Sequence, residues 1–255
     1  FDRILAWRSV YRIELVVGLA AFVAMVLVAS SDSFRSSVRG RAPSARLGFS
    51  AITSVPRWRS LLVIYGLFAA AMALAITFLV ALLEDDADYS SGAAALAFSM
   101  VGVGTILGGP LFGGVADRVG RRAALGGTML LQAVSILVAA TGHRPGATIA
   151  AFCFGLSFSG GPVSTGAHIS DFATGERFGS AYGVATLAFG AGLTVGPQLG
   201  GLVTDWAGSS RPAFVVAAAM AGLGAALVPM ALSPITPSCR ASPAVSTPTP
   251  TQGSA

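Results

Sequence analysis

Seven stretches of this chain are apolar over about 20 residues each, the length at which an α-helix crosses roughly 30 Å of hydrocarbon. They run from Arg12 to Ser30, Ser60 to Leu83, Ser91 to Gly113, Ala123 to Thr141, Ala147 to His168, Ser180 to Thr204 and Pro212 to Ser233. Charged residues make up 11% of the sequence, against about 25% in a soluble domain, so lipid is the expected solvent for most of the chain. The fold class that follows is an all-α membrane bundle of seven transmembrane helices.

The breaks between the runs are short and polar, apart from one Ser/Arg/Pro segment. Four regions result: a first helix over 1–30, a linker over 31–59, a six-helix body over 60–233, and a Pro/Ser/Thr tail over 234–255 of the composition that stays disordered. The sequence opens at Phe1 without a Met, a charged leader or a cleavage site. It reads as internal, so the chain is expected to be a fragment with further spans upstream.

The sequence contains no Lys, and its 16 basic residues are all Arg. A phosphate-loop lysine and Schiff-base chemistry are thereby excluded for this chain, which is neither an ATP-hydrolysing module nor a pyridoxal enzyme. The arginines form no stripe interleaved with aromatics, so nucleic acid is not an expected partner. Cys153 and Cys239 sit in unrelated contexts and give neither a disulfide framework nor a metal site. No cofactor or metal is expected.

Arginine-rich loops remain cytoplasmic. Arg35, Arg39, Arg41, Arg46, Arg57, Arg59, Arg118, Arg121, Arg122, Arg177 and Arg240 fall on one side of the alternating breaks, and Arg3, Arg8, Arg12, Arg144 and Arg211 on the other. The first side is expected to be cytoplasmic. The acidic break Glu84, Asp85, Asp86 and Asp88 then faces outward, and the C-terminus lies in the cytoplasm of a cell whose plasma (inner) membrane holds the protein.

After the third run comes Gly113-Gly114-Val115-Ala116-Asp117-Arg118-Val119-Gly120-Arg121-Arg122. A loop joining two spans must turn sharply, which explains glycines, and must stay cytoplasmic, which explains arginines. The same ten residues resemble, position by position, the signature loop of the major facilitator superfamily. That resemblance implies that the third and fourth runs correspond to helices eight and nine of twelve. The chain would then supply helices six to twelve, with residues 31–59 as the central cytoplasmic loop and Trp7-Arg8 leading into helix six. What the resemblance implies for function is secondary active transport of a small solute by alternating access, with a coupling proton or ion as a further partner beside membrane lipid.

The resemblance also assigns roles. Asp117 would lie near the N-terminus of the helix expected from Ser180, where the dipole favours a carboxylate. With Gly113, Arg118, Gly120, Arg121 and Arg122 it would form a conformational latch, the arginines pairing with acids such as Asp171 or Glu176. The competing reading is a solvated loop whose charges only set topology. In the sixth run Gly192, Gly196 and Gly200 recur at helical spacing beside Pro197, which predicts close helix approach. The pattern is similar to a glycine-proline motif of family antiporters, but on helix eleven instead of helix five. Gly160-Gly161-Pro162 interrupts the fifth run and predicts either a hinge or a fixed packing kink.

Sparse polar and aromatic residues inside the spans are the candidate substrate contacts, led by Tyr65, Phe154, Phe158 and Gln198, because the family cavity is lined by helices seven, eight, ten and eleven. No Asp, Glu, Lys or Arg falls at the centre of a run, where ionisable groups mark ion or proton pathways. Glu14 and His168 lie near run ends and are expected to be solvated. This favours a neutral or amphipathic solute.

Two other function classes compete with transport. Gly155-Leu156-Ser157-Phe158 with His168 as base resembles an intramembrane hydrolase, but eleven residues along one helix separate them by about 16 Å, beyond hydrogen-bond reach. A non-transporting membrane scaffold or sensor on the same fold stays open, because fold does not fix function.

Overall fold

Short polar breaks between long apolar runs force consecutive helices to run antiparallel, and the computed structural model has this arrangement. It describes residues 48–232 and, before them, residues 15, 16, 18–20, 22–27 and 30. The chain divides into two units, Phe1–Arg46 and Leu47–Ala255. In the first, the described part of the first apolar run is helical, and its stretch Gly18–Leu27 is shorter than a membrane span. The expected first half of the linker and the expected disordered tail lie outside the described residues.

The second unit contains a short helix α1 (Gly48–Ile52) and six long ones: α2 (Trp58–Ala81), α3 (Ser91–Arg118), α4 (Arg121–Ala140), α5 (Arg144–Ser170), α6 (Glu176–Ala207) and α7 (Arg211–Ala231). All six long helices are long and apolar enough to cross a membrane, α2 being continued by a π-helical turn over Leu82–Asp86. Each expected run from Ser60 onward is therefore present. Part of the expected linker is not a free connection: Ala51, Ile52 and Val55 are buried, and α1 packs against α6.

The helices also outrun the apolar stretches, and one expectation is corrected by this. Gly113 and Gly114 lie inside α3, which continues to Arg118. The turn is made by Gly120 alone, at φ +112°, a conformation that a Cβ disfavours. Similarly, α5 runs unbroken through Gly160, Gly161 and Pro162. Those glycines make room for rings: a Cβ on Gly160 would collide with Phe112, and one on Gly161 with Phe68.

Helix packing repeats. The principal contacts are α3 with α5 and α2 with α6, then α4 with α5, α4 with α7 and α2 with α7. Exchanging α2, α3, α4 for α5, α6, α7 maps this set onto itself. Since α2 and α5 start from opposite ends of the bundle, the repeat is of inverted topology. Backbone detail agrees: Gly104 and Gly108 of α3 press on the carbonyls of Phe152 and Leu156 in α5, while Gly192 and Gly196 of α6 press on those of Gly66 and Ala70 in α2. Each set is spaced by one helical turn. Small residues let backbones approach in lipid, where no hydrophobic drive between helices exists. Gly200, as expected from its spacing, continues the second seam against Leu74 and Phe78. Helices α3 and α6 bury the smallest shares of their surface, so the broadest exposed apolar faces belong to this equivalent pair.

Candidate functional site

The end of the bundle where α2, α4 and α6 begin gathers the described arginines of the richer side. Gly120 stops α3 and starts α4 within two residues, which places Arg121 at the first position of α4 and Asp117 one turn before it. The Arg121 guanidinium pairs with the Asp117 carboxylate through Nη1 and approaches the Asp171 carboxylate at the C-cap of α5, Nε to Oδ2, at 3.4 Å. One cation thus bridges the end of α3, the start of α4 and the end of α5. The three side chains retain 70%, 25% and 30% exposure for Asp117, Arg121 and Asp171.

Each of these charges sits at a helix end whose dipole opposes it. A cation opens α4, and carboxylates close α3 and α5, each mismatch costing about 0.3–1 kcal/mol. They are held by one another. Arg122 behaves differently: among the described residues it donates from Nη2 to the Pro229 carbonyl at 2.6 Å, while Arg57 Nη1 donates to the Met230 carbonyl at 2.8 Å. Both cations meet orphan carbonyls at the C-terminus of α7, where the dipole favours them. Arg118 is exposed. The contact found for Asp117 is Arg121, and α6 begins at Glu176 instead of Ser180.

At the opposite end, the acidic break is used by its backbone and one side chain. Asp86 accepts the Ser210 N–H at the start of α7 at 2.7 Å, and the Asp86 and Asp88 carbonyls accept from Arg211 and Arg144, both at 2.7 Å. Tyr89 donates its hydroxyl to the Arg144 carbonyl at 2.9 Å. Burial pushes the Tyr89 phenol above its usual range, and the Arg144 guanidinium partly counters this.

The structure does not bring the candidate substrate residues into one pocket. Tyr65 is buried against Phe189 and Phe68, with ring centroids 4.8 and 6.2 Å apart. Phe154 meets Phe158 edge-on at 6.3 Å. Phe154, Ala75, Ser135 and Phe214 border a void of about 10 Å³, room for a single water. Gln198 lies apart on the exposed face of α6, together with Thr194. Within the six-helix unit, then, the polar groups a solute would meet are on outward faces.

His168 corrects another expectation. It is 3% exposed, because α5 continues past it to Ser170 and the Phe172 ring packs edge-on at 5.4 Å. Ser157 is fully buried and gives its hydroxyl to the Phe154 carbonyl of its own helix at 2.6 Å. Sequence reasoning did not foresee the burial of His168 or the two arginines on α7, since neither has a local pattern.

The family model described as Major Facilitator Superfamily matches residues 61–252. A protein of Lactococcus lactis subsp. lactis (strain IL1403) named "Multi-drug resistance efflux pump PmrA homolog" is 30% identical over 131 residues, which cover 49% of this chain and 31% of that protein. The chain thus spans about a third of the length of this relative. With the signature turn, the inverted helix repeat and a family match over most of its length, the chain belongs to the Major Facilitator Superfamily.

Proposed function

We propose that the protein is a secondary active transporter that moves a small, neutral or amphipathic solute by alternating access, with residues 48–232 forming the C-terminal six-helix half. The arginine-rich end is cytoplasmic on this reading, and the protein resides in the plasma (inner) membrane with Gln198 and Thr194 turned toward the companion half. The observation that carries the proposal is the Arg121 bridge to Asp117 and Asp171. Three charges set against their helix dipoles and left partly in water form a tie that is cheap to break, which a seam that opens and closes requires. Polar groups without formal charge on the outward face of α6 support the solute class, as does the name of the relative, a multidrug efflux pump.

The test is efflux of a fluorescent lipophilic dye such as ethidium from cells lacking their own pumps. Full-length protein should lower dye accumulation, and Arg121→Gln should abolish this at unchanged membrane abundance. Equal efflux by both forms would remove the bridge from the mechanism, and no efflux of cationic or neutral dyes would remove the solute class.

A further inference from the structure

One face of α5 is buried and polar where the proposed mechanism makes no use of it. Ser164 and Thr165 are fully buried and His168 nearly so. Both hydroxyl oxygens and both ring nitrogens of His168 lack a hydrogen-bond partner among the described residues. Residues three and four apart share a helix face, so these four atoms are gathered over about one turn, continuing the face on which Gly161 meets Phe68. A neutral imidazole has one N–H to donate and one lone pair to offer, and burying both unpaired is costly. Such a ring has bonding capacity that this conformation does not use.

We propose that His168 is a proton-binding site, and that its protonated form competes with Arg121 for the Asp171 carboxylate. A proton from hydronium at the arginine-rich end adds to the free ring lone pair: an O–H bond of the hydronium breaks and leaves water, an N–H bond forms, and the ring gains one positive charge. A buried cation needs a counter-charge. Asp171 lies three residues on, one turn away on the same helix, and Arg121 Nε stands 3.4 Å from its carboxylate. Among the residues whose side chains are described, the packed helices also bring to this end Arg57 and Arg59 at the start of α2, Asp117 and Arg118 of α3, Arg122 of α4, and Arg177 and Tyr182 of α6. Of these, Asp117 pairs with Arg121, and Arg57 and Arg122 donate to the Met230 and Pro229 carbonyls. Asp171 is the carboxylate that the ring can recruit, and Arg121 is the group that loses it. Protonation would thereby loosen the bridge between α4 and α5.

The site belongs to the six-helix unit itself and rests on the transport reading only for its consequence, so it can be tested where no solute is known. The full-length protein in lipid nanodiscs, with 13C-labelled histidine rings, is titrated by NMR, the His168 signal being assigned by its loss in His168→Gln, or in His168→Asn if the longer amide does not fold. The signal should titrate reversibly in the folded protein. Asp171→Asn should move the midpoint down and Arg121→Gln should move it up; these two variants leave the buried ring in place. A ring that does not titrate in folded protein overturns the proton site, and a midpoint that neither variant moves overturns the competition for Asp171. Loss of dye efflux with an intact titration would count against the transport reading alone.

Discussion

Gly196→Ala tests the packing account of the fold most directly. In α6, a Cβ at this position would run into the Ala70 carbonyl, with Ala70 C and Cα at 2.9 and 3.0 Å. All three are backbone atoms, so no rotamer change relieves the clash and α6 must move off α2. A displacement of about 1 Å forfeits up to half of the dispersion well for contacts along the seam, and overpacking of this kind costs about 1–3 kcal/mol. Helix propensity works the other way, since Ala is favoured over Gly in a helix by about 1 kcal/mol. Gly190→Ala supplies the control: it lies in the same helix, and a methyl added there would meet no atom within 4 Å, so propensity acts alone. Purified protein should therefore lose up to about 8 °C of unfolding midpoint in Gly196→Ala, while Gly190→Ala is unchanged or gains, so that the two variants differ by at least about 2 °C, at about 2–4 °C per kcal/mol for this size. Thermal unfolding followed by tryptophan fluorescence measures both. Equal midpoints for the two variants would refute the claim that the glycines exist to let the backbones touch.

Gly120→Ala should cost about 1–2 kcal/mol, because its φ of +112° is strained for any Cβ, whereas Gly113→Ala should be neutral or stabilising, its nearest neighbour being Val163 Cγ1 at 3.8 Å; thermal unfolding separates the two. Arg122→Gln should lower stability by about 1 kcal/mol through the lost bond to the Pro229 carbonyl, and amide exchange should quicken in the last turn of α7 but not in α3.

The spans were legible because lipid leaves a long apolar run few options other than a helix, and every run from Ser60 to Ser233 has its helix. Their ends were not legible: α3 carries Asp117 and Arg118 and α4 opens on Arg121, charges that an apolarity rule assigns to a loop. The signature was read correctly as a turn between two helices, but its glycines were given one role where there are two. Gly120 alone bends the chain, and Gly113 is an ordinary helical residue. Which side chains face inward was hardly legible at all. A span that is apolar all round has little periodic contrast, so nothing in the sequence distinguished buried Tyr65 and Phe154 from exposed Gln198, or showed that His168 lies under Phe172.

The two glycine seams and the Arg121 bridge differ in what they permit. Along α3–α5 and α2–α6, backbone meets backbone over successive turns, and packed contacts of this kind are bistable at best, not continuously deformable. Sliding either pair by part of a turn would drive a glycine notch out of register with its carbonyl. The charges at the arginine-rich end are partly exposed, and an exposed ion pair contributes about 0–1 kcal/mol. A molecule required to switch will therefore keep its seams and exchange its charge contacts. In the proposed transport cycle the six helices would move as one body, with their conformational equilibrium set where Asp117, Arg121 and Asp171 meet, beside the buried His168.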